Sequence, residues 1–171
     1  MKDTKIRKLT FAALSAAIIF VGTYVLIFPL PGSGYANLGD CFIITVCCFL
    51  GVWPGAAAAA VGAALADLIL GYTIYAPATF IIKGLMAICI FLLYKKLPLP
   101  TIAKTVIAAV VSEVIMIAGY LLFETALYGF PTAVLNVIGN SVQGGIAVVF
   151  GTVLSYAISR APRVTAFIAG K

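Results

Sequence analysis

The sequence predicts an all-α integral membrane protein, a bundle of six transmembrane helices with both termini on the cytoplasmic side. Of its 171 residues, 64% are hydrophobic and 9% are charged, whereas a soluble domain carries roughly a quarter charged residues. The apolar residues fall into six stretches, and the basic residues lie almost entirely between or beyond them. A stretch of about 20 apolar residues is long enough to cross a bilayer. We therefore expect one membrane domain, 1–171.

The first three spans are predicted at 9–28, 39–52 and 54–70. The first follows a basic segment, but it is longer than a signal-peptide core and lacks a small-residue cleavage site, so we interpret it as a membrane helix. A loop reaching Leu38 is predicted from four helix-breaking residues: Pro29, Pro31, Gly32 and Gly34. The second span is short. Pro54 suits the first turn of the third.

The last three spans are predicted at 77–94, 105–123 and 132–159. The chain turns at 71–76, and Pro77 opens the fourth span. The polar connection that follows contains Pro98 and Pro100. Gly129 to Pro131 interrupt the apolar sequence again, which separates the fifth span from the sixth.

The distribution of basic residues predicts the orientation. Ten of the eleven would be cytoplasmic if both termini are, and the outer loops would hold none. An excess of Lys and Arg in cytoplasmic segments is the strongest sequence signal of topology, and here it favours an even number of spans. The ten are Lys2, Lys5, Arg7, Lys8, Lys95, Lys96, Lys104, Arg160, Arg163 and Lys171.

Several function classes are disfavoured. The basic residues form no patch with interleaved aromatic residues, so nucleic acid is not an expected partner. The four cysteines lie in apolar stretches without the spacing of a disulfide framework or a zinc site, and histidine is absent, so no metal ion is expected. The sequence has no phosphate-binding GxxxxGK[ST] motif and no nucleophile–base pair, so neither ATP binding nor enzyme activity is predicted for this chain.

Polar residues inside the spans predict a binding site in the outer half of the membrane. Placing an ionisable side chain in a membrane span costs about 2–3 kcal/mol of insertion free energy even on permissive scales, so each such residue requires a structural or functional explanation. Lys83, six residues past Pro77, would lie about 9 Å below the outer surface, and Glu113 would lie near mid-membrane. Glu124 is expected to be solvated at a helix end. The candidate site residues are Tyr35, Asn37, Asp40, Asp67, Tyr75, Lys83, Glu113, Asn136, Asn140 and Gln143, with Tyr72 and Tyr120 on the same side.

Each of these residues also has a purely structural interpretation. Lys83 could pair with Asp67 or Glu113 to hold the bundle together. The polar residues of the sixth span share one helix face and could serve interhelical hydrogen bonds. Tyr72 and Tyr75 could be interfacial anchors. Their joint placement on one side of the membrane favours a ligand site.

Two stretches resemble the substrate-binding subunits, or S components, of energy-coupling factor (ECF) transporters. One is PGSGYANLGD at 31–40, and the more specific one is ADLILGYTIYAPATFIIKG at 66–84. The small-residue pairs Ala12/Ala16 and Ala13/Ala17 in the first span match a third feature of that family. The resemblance extends over essentially the whole chain.

The resemblance implies a function that composition alone does not. S components capture vitamins or their precursors from outside a bacterial cell. They dock on a transmembrane coupling subunit and two ATPases, which use the ATP, so this multi-pass chain would need no cofactor of its own. Ala12, Ala13, Ala16 and Ala17 would form the docking surface, and the loop between the first two spans would be a lid. The bound subunit would topple in the membrane to release its ligand.

The sequence is most similar to S components assigned to hydroxymethylpyrimidine or pyridoxine, with riboflavin as the next candidate. Lys83, Asn136, Asn140 and Gln143 could hydrogen-bond a small hydroxylated heteroaromatic ring, with tyrosines on its face. Two other classes stay open: a self-sufficient channel or secondary transporter, and a membrane scaffold that transports nothing. A proton or ion pathway would need polar groups through both halves of the membrane, and the inner half is poor in them.

Overall fold

The chain is a helical bundle with one short β-hairpin at one end. A computed structural model describes residues 2–25, 27–29 and 35–169. The helices are α1 (Lys2–Val25), α2 (Gly39–Leu50), α3 (Val52–Leu70), α4 (Ala76–Lys96), α5 (Thr101–Tyr128), α6 (Phe130–Ser159) and α7 (Pro162–Ala169). The antiparallel hairpin joins β1 (Ile27–Pro29) and β2 (Tyr35–Asn37), with Phe28 opposite Ala36.

The structure differs from the sequence prediction at several helix ends. α1 ends at Val25, and the next described residues form strand β1 rather than the end of a predicted span 9–28. α5 extends beyond the predicted 105–123 at both ends. The basic C-terminal segment contains an additional helix, α7. Residues 30–34 of the predicted loop, with Pro31, Gly32 and Gly34, lie outside the described residues.

The short helix α2 lies at the centre of the bundle. α1, α3, α4, α5 and α6 pack side by side in that order, and α2 contacts α1, α3, α4 and α6. Nine of its twelve residues are buried, including Ile43, Ile44 and Cys47. The four cysteines are free thiols, and three of them are buried. Because α2 begins at the same end where α1 and α3 end, its first residues face the side chains of both neighbours.

The pattern of polarity is inverted relative to a soluble protein. Large apolar side chains are exposed on the outside of the bundle, such as Leu122, Ile138 and Val149, while Asp40, Asp67 and Lys83 are buried. Helices that are apolar on their outer faces are typical of a membrane environment. By length and composition, five helical segments among the described residues can cross a membrane: Lys5–Val25, Val52–Leu70, Ala76–Lys96, Thr101–Tyr128 and Phe130–Ser159. α2 is apolar but shorter.

α1 and α3 approach closely because Gly62 has no side chain. A Cβ atom at Gly62 would lie 2.5 Å from the carbonyl oxygen of Ala16, well inside van der Waals contact. Small residues permit this kind of backbone approach between membrane helices. The contact ties α1 to α3 and orients the first helix in the bundle.

Candidate functional site

A small polar cavity lies at one end of the bundle. α1, α3 and α5 end there, α2 and α4 begin there, and the β-hairpin lies over it. Lys95 and Lys96 in the last turn of α4 lie at the opposite end. The volume open to the centre of a water-sized sphere is about 30 Å³, enough for about two water molecules. The lining residues are Thr23, Tyr35, Asn37, Ala63, Asp67, Tyr72, Tyr75, Thr79, Lys83, Tyr120, Glu124 and Gln143.

A chain of hydrogen bonds centred on Asp40 forms one wall of the site. Lys83 Nζ donates to Asp40 Oδ1 at 2.6 Å, and Gln143 Nε2 donates to Asp40 Oδ2. The amide oxygen of Gln143 accepts a bond from the backbone N–H of Asn37 at 2.7 Å. One connected network therefore joins α4, α2, α6 and the hairpin. The pairing corrects the structural interpretation of Lys83, whose carboxylate partner is Asp40 rather than Asp67 or Glu113.

The entry into α2 requires glycine at position 39. A Cβ atom there would lie 2.1 Å from Thr23 Oγ1 and 2.9 Å from Asn37 Oδ1. The Gly39 N–H also donates to Asn37 Oδ1 at 2.8 Å, which fixes the turn from β2 into the helix. This close packing places Asp40, the next residue, at the level of Lys83.

Tyr35 connects the hairpin to α3. Its hydroxyl donates a hydrogen bond to Asp67 Oδ1, and its ring lies 4.8 Å from the ring of Tyr72, centroid to centroid. The hydrogen bond between Tyr35 and Asp67 closes the cavity on the side of the hairpin.

Tyr75 and Glu124 form the side of the cavity between α4 and α5. Tyr75 Oη donates to Glu124 Oε1 at 3.2 Å, and the Tyr75 ring packs edge-on against Tyr72 and Phe123. Glu124 is 2% exposed. The expectation that Glu124 is solvated is therefore wrong, because α5 continues to Tyr128 and the carboxyl group faces the bundle.

Tyr120 and Thr79 complete the floor beside Lys83. Their hydroxyl oxygens lie 2.9 Å apart in a hydrogen bond. Lys83 Nζ lies 5.5 Å from the centroid of the Tyr120 ring, within the range of a cation–π contact. The ammonium group therefore has a carboxylate on one side and an aromatic face on the other.

The predicted site residues divide into two groups. Six of the ten line the cavity, and Asp40 contacts two of those six, Lys83 and Gln143. Glu113, Asn136 and Asn140 are buried but do not line it. Asn136 lies beside the Glu124 carboxyl group, and Glu113 lies against Gly144 at a lateral groove between α5 and α6.

Sequence reasoning missed four lining residues: Thr23, Ala63, Thr79 and Glu124. Thr79 lies four residues before Lys83 and therefore shares its helix face, which was a usable signal. Thr23 and Ala63 lie in apolar stretches where nothing in the sequence distinguishes them from packing residues.

The four alanines of the predicted docking surface are not equivalent. Ala13 and Ala17 are exposed, whereas Ala12 and Ala16 are partly buried. The backbone of Ala16 packs against Gly62 of α3. This contact favours packing within the chain for the pair Ala12/Ala16 and leaves Ala13 and Ala17 as accessible surface.

Comparison with known proteins identifies relatives over most of the chain. The family described as "ECF-type riboflavin transporter, S component" matches residues 3–160. The thiamine precursor transporter HmpT of Lactococcus lactis subsp. cremoris is 30% identical over 163 residues, 94% of this chain and 92% of HmpT. An uncharacterized protein of Pyrococcus woesei is 31% identical over 143 residues, 83% of this chain and 95% of that protein.

Proposed function

The chain belongs to the family of ECF-type riboflavin transporter S components, and from that premise we propose that its cavity captures a vitamin or vitamin precursor for import. As a member of that family it is a multi-pass membrane protein and a transporter subunit rather than an enzyme. The observation that carries the proposal is the convergence of polar and tyrosine side chains from the hairpin, α3, α4, α5 and α6 on one cavity. A site of this composition suits a small heteroaromatic ring.

In this proposal the chain crosses the membrane six times, with both termini in the cytoplasm. The twelve residues of α2 extend about 18 Å, too short to cross a hydrocarbon core of about 30 Å alone. In this proposal the remaining crossing is made by α2 together with the hairpin. The short helix α2 can serve there because the neighbouring helices cover its surface. The cavity then faces outward, and the basic ends of the helices face the cytoplasm as the distribution of Lys and Arg favours.

The hairpin serves as the lid of the site. Tyr35 and Asn37 close it through their bonds to Asp67 and Gln143. The space they leave is smaller than a vitamin, so the ligand enters when these bonds open and the tyrosine rings separate. Within this proposal we favour a single-ring ligand of the hydroxymethylpyrimidine or pyridoxine type over riboflavin, because a smaller ligand needs less displacement of the lining side chains. The similarity to HmpT, a thiamine precursor transporter, supports a vitamin precursor as the ligand.

Delivery into the cell would depend on partners. We propose a transmembrane coupling subunit with two ATPases, docked through the exposed residues Ala13 and Ala17 of α1. Small exposed residues allow a partner helix to approach closely in lipid. This chain supplies the ligand site, and ATP hydrolysis in the partners drives release.

The test is a ligand screen on the purified full chain in detergent, without partners or ATP. We expect a rise in melting temperature with hydroxymethylpyrimidine or pyridoxine, a smaller rise with riboflavin, and none with sugars or amino acids. Liposomes containing this chain alone should take up no ligand. Uptake by the chain alone would favour a secondary transporter, and a folded protein that responds to no vitamin would favour a scaffold.

A further inference from the structure

A groove lies between α5 and α6 on the outside of the bundle. Val110 and Val114 of α5 and Ser141 and Gly145 of α6 line it, and all four are exposed. The volume open to the centre of a water-sized sphere is about 220 Å³. The groove shares no lining residue with the polar cavity, and the alanines of α1 do not line it. It is therefore a separate surface of the protein.

Glu113 lies on the inner side of this groove without a hydrogen-bond partner. The residue is 4% exposed, and neither of its carboxyl oxygens has a partner among the described residues. The other buried carboxyl groups, those of Asp40, Asp67 and Glu124, each receive a hydrogen bond from a neighbouring side chain. A buried polar group without a partner is costly, and inside a bilayer water cannot supply one. The groove thus lacks a hydrogen-bond donor at the depth of Glu113.

Two glycines of α6 leave room for another helix beside this carboxyl group. A Cβ atom at Gly144 would lie 3.2 Å from Glu113 Oε2, and a Cβ atom at Gly145 would meet nothing within 4 Å. Ser141 and Gly145 are four residues apart, so these two small residues share one exposed face of α6. Small residues at this spacing allow a neighbouring membrane helix to approach closely.

The groove also carries a donor of its own. The Ser141 hydroxyl is exposed and donates to the Val137 carbonyl oxygen of its own helix at 2.6 Å. Ser141 lies three residues, about 4.5 Å along the helix axis, from Gly144, which packs against Glu113. The same surface therefore offers both a donor and an unpaired acceptor. Such a surface is self-complementary, as a twofold contact between identical subunits requires.

The bilayer restricts how two copies can meet. Copies of one membrane protein share the same orientation, so a twofold axis along the bilayer normal places residues of equal depth opposite each other. Ser141 of one copy then faces the groove of the other copy close to the level of Glu113. Its hydroxyl can exchange the carbonyl of its own helix for a carboxylate, because a hydrogen bond to an ionised acceptor is the stronger of the two.

We propose that this groove is a dimerisation surface, on which α6 of a second copy packs along Ser141 and Gly145. The Ser141 hydroxyl of each copy donates to Glu113 of the other, so two symmetry-related hydrogen bonds satisfy both buried carboxyl groups. Interhelical hydrogen bonds in lipid are individually weak, so the dimer forms reversibly and depends on protein concentration. The contact leaves α1 free and is independent of the proposed ligand.

The experiment measures self-association of the full chain in lipid vesicles. Energy transfer between donor-labelled and acceptor-labelled chains is recorded as the protein-to-lipid ratio increases, and we expect it to saturate for the wild type. Gly145→Leu should weaken association at least about tenfold, because the larger side chain fills the groove and keeps the two helices apart. Ala157→Leu, at another exposed position of α6 outside the groove, is the matched control and should associate as the wild type does.

Two further variants test the hydrogen bond itself. Ser141→Ala should weaken association about three- to tenfold, whereas Ser159→Ala should not, because Ser159 bonds its own helix in the same way but lies outside the groove. Glu113→Leu should weaken association too. At a detergent excess that separates the copies, its melting temperature should equal or exceed that of the wild type, because an unpaired buried carboxyl group has been removed. A structural role within one copy would lower that melting temperature instead.

Three results would overturn the inference. The first is energy transfer no greater than random proximity produces in the wild type. The second is association that is unchanged in folded Gly145→Leu and Ser141→Ala, because the dimer then uses another surface. The third is a monomeric chain whose Gly145→Leu variant loses uptake with the coupling subunit and ATPases, which would assign the groove to a helix of that partner. Ligand binding is measured separately, so none of these results removes the proposed function.

Discussion

Lys83 and Asp40 form an ion pair in the interior of the bundle, with Nζ and Oδ1 2.6 Å apart and side chains 2% and 0% exposed. The two residues lie on α4 and α2, so the pair joins the central helix to its neighbour. Gln143 from α6 binds the second oxygen of the same carboxylate. A buried charge pair is tolerated when its remaining hydrogen-bonding atoms are satisfied, and here the Asp40 carboxylate has a partner on each oxygen.

We predict that single replacements of this pair destabilise the protein more than the double replacement does. Lys83→Met or Asp40→Asn alone leaves the other group buried without its partner, at a cost of about 3–5 kcal/mol when a charge is left uncompensated. The double variant Lys83→Met/Asp40→Asn should recover part of the loss, with a coupling energy of at least about 1 kcal/mol. The free energy of unfolding in detergent is measured for the wild type, the two single variants and the double variant. Additive effects would show that the contact contributes no stability.

We predict that Tyr35→Phe weakens ligand binding by about tenfold and accelerates release. The variant keeps the aromatic ring but removes the donor to Asp67, which holds β2 against α3. Tyr72→Phe is the matched control, because Tyr72 contacts Tyr35 through its ring, which the substitution keeps. Stopped-flow measurement of dissociation compares the two variants. Equal dissociation rates would remove Tyr35 from the lid.

We predict opposite effects for the same substitution at two helical glycines. Gly62→Ala forces the new methyl group against the Ala16 backbone, and overpacking of this kind costs about 1–3 kcal/mol. At Gly145 an added Cβ would meet nothing within 4 Å, so Gly145→Ala should be neutral or should stabilise α6 by about 0.5–1 kcal/mol. Melting temperatures of Gly62→Ala, Gly145→Ala and the wild type, measured in the same detergent, test both expectations. A destabilised Gly145→Ala beside an unaffected Gly62→Ala would contradict the α1–α3 packing.

We predict that Ala13→Leu/Ala17→Leu blocks uptake but preserves ligand binding. Both alanines are exposed on α1 and are separated from the cavity lining. Bulky side chains there should keep a partner helix at a distance. Ala118→Leu, at an exposed position of α5, is the control and should transport normally. Binding is measured on the isolated chain, and uptake is measured with the coupling subunit and ATPases. Normal uptake by the double variant would exclude this surface as the docking site.

The sequence predicts the helical class and the side of the bundle where polar groups gather, because apolar runs and proline positions determine both. It does not predict which polar groups touch. The residues Asn136, Asn140 and Gln143 share a helix face and all are buried, yet among them only Gln143 lines the described cavity. Helical periodicity gives the direction of a side chain, whereas its depth and neighbours depend on the tilt and packing of other helices.

The partner of Lys83 and the burial of Glu124 illustrate the same limit. Asp40 reaches Lys83 because α2 lies inside the bundle, and a short apolar stretch in the sequence does not reveal that position. Glu124 is buried because α5 continues past the predicted end of the span. Helix ends are the least certain part of an assignment from sequence, and an error of a few residues changes the environment of any side chain near them.

The most direct test of the proposed binding site is to fill the cavity with a larger side chain and then measure the affinity for the ligand. Ala63 lines the cavity on α3, and Ala57 is exposed on the same helix. For the vitamin that the wild-type chain binds most tightly, calorimetry should show that Ala63→Leu loses binding while its melting temperature still indicates a folded protein. Ala57→Leu should bind as the wild type does. Wild-type affinity in a folded Ala63→Leu variant would place the ligand outside this cavity and contradict its assignment as the binding site.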